Sequence, residues 1–156
     1  KDNSLVNVGC TTTVEKVTKQ YPDGRLDILT RGRRRFEVLF LDEQKPYLRG
    51  AVHFFDDEDL KPPAPEAITR LRGLFNQALA LMPSLVSEPP APEETVSGFQ
   101  VAGLLPLELE LKQRVLTMRS ERERVGVLSD FLAKMLPRLE RARHVERVSR
   151  GNGQGR

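Results

Sequence analysis

The sequence has one cysteine, two histidines and no long apolar run, and each of these scarcities excludes a class of protein. The 156 residues include only Cys10, which excludes an internal disulfide framework and a cysteine-based zinc cluster. No run of 18 apolar residues occurs, so a membrane-spanning helix is not expected, and no signal peptide opens the chain. These features predict a cytoplasmic protein.

The motifs of common catalytic sites are also missing. The sequence contains no GxxxxGK[ST] loop, no GxGxxG turn, no HExxH helix and no GxSxG elbow. His53 and His144 lie far apart and have no suitably spaced second ligand. A Ser–His–Asp triad is defined by geometry rather than by sequence, so composition does not test it. We therefore expect no metal, no cofactor and no catalysis by this chain.

Charge is concentrated near the C-terminus and in one short basic group. The net charge is +3, and residues 138–156 hold six Arg and two Glu, so the remainder carries 3 − 4 = −1. Arg33, Arg34 and Arg35 form the basic group. Two interpretations stay open. Both regions could bind nucleic acid, or they could be solvated and pair with acidic residues such as the run 56–59. The nine aromatic residues do not lie between basic ones, which is poor support for base stacking.

Strand-like patterns fill the chain up to about residue 61. Alternation places Val6, Val8 and Cys10 on one face, and the three-residue interval from Val14 to Val17 predicts a β-bulge. A tight turn is expected at Tyr21-Pro22-Asp23-Gly24 and another at Gly32. The predicted strands that follow are 25–30, 36–41, with Phe36, Val38 and Phe40 on one face, and 47–55.

The fourth predicted strand offers a candidate contact surface. Its apolar side consists of Leu48, Val52 and Phe54, and its other side holds Tyr47, His53 and Phe55. We expect the second side either to contact a partner or an unfolded chain, or to be covered by another part of the protein.

Helical patterns take over after the proline-rich connector near residue 62. Helices are predicted over about 66–82, 93–104 and 107–118, and a last helix begins after a capping box at Ser120 and Glu123 and is kinked at Pro137. This order predicts an α+β protein. It comprises a β-barrel subdomain at 1–61, a helical subdomain at 62–147 and a disordered, basic, glycine-rich tail at 148–156.

Several short motifs, in order, resemble the substrate-binding domain of the ATP-dependent Lon proteases. They are Val8-Gly9-Cys10, Tyr21-Pro22-Asp23-Gly24-Arg25-Leu26, Gly32-Arg33-Arg34-Arg35-Phe36, Pro46-Tyr47-Leu48-Arg49, Leu105-Pro106-Leu107-Glu108-Leu109-Glu110-Leu111-Lys112-Gln113 and Ser120-Glu121-Arg122-Glu123-Arg124-Val125. Each motif is weak alone, but the shared order and the change from strands to helices make the match more specific.

The resemblance implies a PUA-like antiparallel β-barrel followed by a helical bundle that recognises unfolded or damaged polypeptides or docks to a proteolytic machine. The ATPase and Ser–Lys protease modules of the full enzymes are not in this sequence, so we expect the stand-alone type. The opening strands typical of the family are also missing before Lys1. An incomplete barrel with an open edge is therefore expected, and self-association through that edge is one consequence.

Overall fold

The computed structural model describes residues 6–83 and 96–151, with side chains up to residue 145. The chain divides into two compact units, Lys1–Asp56 and Asp57–Arg156. This division falls slightly before the boundary that the sequence suggested at residue 61. The last helix is described to Gly151, whereas a disordered tail was expected from residue 148; residues 152–156 lie outside the described part.

The first unit is a three-stranded antiparallel sheet. Strands β1 (Val8–Gln20), β2 (Leu26–Asp42) and β3 (Arg49–Phe55) lie in the order β1-β2-β3. The two outer strands are not paired with each other, so the described residues form an open sheet rather than a closed barrel. This confirms the expected α+β class with an incomplete barrel.

The β1–β2 hairpin closes at the predicted turn. The Gly24 N–H donates to the Tyr21 carbonyl oxygen at 3.1 Å, and the Tyr21 N–H donates to the Arg25 carbonyl oxygen at 2.9 Å. Gly24 has φ +87°, a conformation that side chains other than glycine adopt at a cost. Register shifts leave Glu15 and Thr18 as extra residues in β1, which confirms the bulge expected between Val14 and Val17.

Two expectations about β2 are wrong. Gly32 is not in a turn, because β2 continues through it with Gly32 opposite Thr12. The local irregularity is instead a bulge at Arg33 and Arg34. There the Thr11 hydroxyl donates to the Arg34 carbonyl oxygen and accepts from the Arg34 N–H. The second wrong expectation is that Phe36, Val38 and Phe40 share one face. A bulge at Leu39 moves Phe40 to the sheet face opposite that of Val38.

The second unit is helical and contains the hydrophobic core. Its helices are α1 (Pro65–Leu81), α2 (Gly98–Leu104), α3 (Leu109–Thr117) and α4 (Glu121–Gly151), which confirms the predicted helical half. The second helix begins at Gly98, after the N-cap Ser97, and so starts later than the predicted residue 93. The α4 helix continues through Pro137 without a break. The largest fully buried side chains come from all four helices and the α2–α3 connection: Leu71, Phe75, Val101, Leu105, Val115, Val125, Leu128 and Leu132.

Candidate interaction surface

Large apolar side chains are exposed on the three-stranded sheet. They lie on all three strands and in the β2–β3 connection: Val14, Val17, Leu26, Ile28, Leu29, Leu39, Phe40, Leu41, Tyr47, Leu48 and Phe54. These side chains lie on both faces of the sheet, and exposed apolar patches on folded proteins often mark interaction sites. The sheet of the first unit is therefore the candidate interaction surface.

The part of the hairpin beyond the reach of β3 carries two unlike faces. We call residues 11–34 the hairpin arm, because β3 pairs with β2 only from Arg35 onward. Directly opposite residues of an antiparallel pair lie on the same face. The pairs on the first face are Thr12–Gly32, Val14–Thr30, Val17–Ile28 and Gln20–Leu26. We call it the apolar face of the arm.

The second face of the arm is charged. Its pairs are Thr13–Arg31, Lys16–Leu29 and Lys19–Asp27. The bulged Glu15 belongs here too, because its carboxylate accepts a hydrogen bond from Arg31. That hydrogen bond, with the attraction of the carboxylate, raises the pKa of Arg31. Lys19 lies over the Tyr21 ring, with Nζ 4.4 Å from its centre, and the Tyr21 hydroxyl donates to Asp27 at 2.9 Å.

The structure separates the three candidate contacts of the fourth strand. Tyr47 is 63% exposed but precedes β3, and His53 is exposed within β3 opposite Glu37. Phe55 is only 5% exposed, whereas Phe54 is 39% exposed. The burial of Phe55 agrees with the alternative that another part of the protein covers this side of the strand. Polypeptide binding by Tyr47, His53 and Phe55 stays a prediction.

The three arginines proposed as anion contacts each interact with a nearby residue of the first unit. Arg33 donates to the Thr13 hydroxyl at 2.9 Å, Arg34 lies over the Phe54 ring at 4.6 Å and 3.9 Å from the Asp56 carboxylate, and Arg35 lies over the Phe55 ring at 4.8 Å. The pairing of Arg34 with Asp56 agrees with the second interpretation of the basic group. No observation on the described residues favours nucleic-acid binding.

A buried arginine in the helical unit was not singled out from the sequence. The Arg124 side chain is 3% exposed. It donates to both carboxylate oxygens of Asp57, to Glu121 at 2.6 Å and to the Met118 carbonyl oxygen at 2.9 Å. Burial acts to lower the pKa of Arg124, but the hydrogen bonds to Asp57 and Glu121 outweigh it and raise that pKa. The acidic run at 56–59 could have indicated this buried arginine from the sequence, because a buried arginine needs carboxylate partners.

Asp59, two residues after Asp57, also contacts residues at the start of α4. Asp59 accepts hydrogen bonds from Arg122 Nε at 2.9 Å, from the Ser120 hydroxyl at 3.1 Å and from the Lys61 N–H at 3.1 Å. The hydrogen bonds from Arg122 are the main reason that the pKa of Asp59 is below its usual range. These contacts stabilise the fold of the second unit.

The described residues contain neither a metal site nor a membrane span. No group of three or more His, Cys, Asp or Glu side chains in residues 6–83 and 96–145 is placed to hold a metal ion. None of the four described helices combines the length and the apolar composition that crossing a membrane requires.

Comparison with known protein families decides the classification. Residues 1–134 match the family described as the ATP-dependent protease La (LON) substrate-binding domain. The chain belongs to this family. The match confirms the resemblance stated from the sequence motifs, and it is to the substrate-binding module of Lon rather than to a catalytic one.

Named relatives support the same assignment. The chain is 26% identical over 153 residues to the Lon protease of Syntrophomonas wolfei and 24% identical over 137 residues to Lon protease 1 of Bacillus subtilis. These alignments cover 92% and 84% of this chain but only 18% of each relative. The chain therefore spans less than a fifth of the length of the Lon proteases that it matches.

A solved structure supports the fold. The crystal structure of a Lon N-terminal domain protein from Xanthomonas campestris matches with a TM-score of 0.57 at 22% identity. The match covers 82% of this chain and 69% of that structure. At this identity the likeness is evidence for a Lon N-terminal fold.

Proposed function

We propose that this chain is a non-catalytic module that binds unfolded or damaged polypeptides for degradation by an ATP-dependent protease. The observation that carries the proposal is the set of large exposed apolar side chains of the first unit, which includes Phe40 on one face of the sheet, Phe54 on the other and Tyr47 in the β2–β3 connection. Membership of the Lon substrate-binding family supports it, because that family is named for binding substrates.

The exposed apolar surface suits weak and unselective binding. Full burial of one aliphatic or aromatic side chain contributes about 1.5–3 kcal/mol, and side chains that are already half buried contribute less. Several such contacts, partly offset by the ordering of a disordered partner, lead to modest affinity. Modest affinity for many apolar segments is what a module that captures diverse unfolded chains needs.

The proposal is tested by comparing one partner in two states. Binding of the chain to a reduced, carboxymethylated model protein is measured by fluorescence anisotropy beside binding to the same protein in its native, disulfide-bonded form. We expect saturable binding of the unfolded form and at least tenfold weaker binding of the native form. Equal affinity for the two forms, or no binding of either, would contradict the proposal.

The candidate residues are tested in the same assay. Tyr47→Ser removes a large exposed side chain outside the strands, so the fold should persist and affinity should fall. Leu60→Ser is a matched control, because Leu60 is 86% exposed but lies in the second unit. If Tyr47→Ser and Leu60→Ser change the affinity equally, Tyr47 is not a specific contact.

A further inference from the structure

We draw no further inference here: the strongest candidate, the apolar face of the hairpin arm around Val17 and Ile28, carries none because nothing in the structure shows what covers it.

Discussion

At the scale of single residues, Gly98 is placed where no side chain fits. A Cβ added at this first residue of α2 would lie 2.7 Å from the Arg124 Cβ. This space lets the Gly98 N–H reach the Glu121 carboxylate at 2.6 Å, which in turn accepts a hydrogen bond from Arg124. The close approach of α2 to α4 therefore depends on glycine at this position.

Substitution of two glycines in the same helix tests this dependence. Gly98→Ala should lower the free energy of unfolding by about 1–3 kcal/mol, because α2 and α4 must move apart. Gly103→Ala should raise it by about 0.5–1 kcal/mol, because nothing lies within 4 Å of the added Cβ and alanine favours a helix. Urea unfolding measures both, and a neutral Gly98→Ala would show that the contact with Arg124 is not restrictive.

A second prediction at the scale of residues concerns the stability of the fold at low pH. The pKa of Asp59 is lower in the folded chain than in the unfolded chain, mainly because Arg122 donates to its carboxylate. Its contribution to stability is therefore fully present above about pH 4, the usual pKa of an aspartate, and is lost as the pH falls through the lower folded-state pKa. Asp59→Asn should be less stable than the wild type at pH 7, and the gap should shrink toward pH 2. A gap that stays constant in urea unfolding across this range would contradict the assignment.

At the scale of elements, the hairpin arm depends on its turn. Gly24 has positive φ, and a Cβ added there would have no other atom within 4 Å, so only the backbone conformation restricts the residue at this position. Gly24→Val should destabilise the arm by about 1–2 kcal/mol, and Gly24→Asn should cost less, because asparagine tolerates this conformation. Amide hydrogen exchange of β1 and the paired part of β2 measures the difference. Equal effects of Val and Asn would mean that the turn conformation does not limit the stability of the arm.

The elements also show where sequence reasoning succeeds and where it fails. Helices with a clear apolar stripe, such as Leu71, Phe75 and Ala78 in α1, could be predicted, because the stripe directly reflects burial in the core. The bulges at Arg33 and Leu39 could not, since cross-strand pairing decides them and Gly32 locally resembles a turn residue. The capping box at Ser97 and Gln100 was available in the sequence but was not predicted.

At the scale of the whole molecule, the two units differ in where their apolar residues lie. The second unit buries them among four helices, with Phe75 and Leu132 fully buried. The first unit leaves many of them exposed on a sheet whose outer strands are unpaired with each other. The family could be predicted from ordered motifs. The face of the sheet that is exposed could not, because Phe54 and Phe55 have the same residue type and only their environments differ.

The most direct test of the central claim is a map of where an unfolded polypeptide protects the chain. Hydrogen–deuterium exchange is measured with and without a saturating, reduced and carboxymethylated model protein. We predict slower exchange in β1, β2 and β3 and little change in α1 and α4. Protection confined to the helices, or no protection at saturation, would contradict the account.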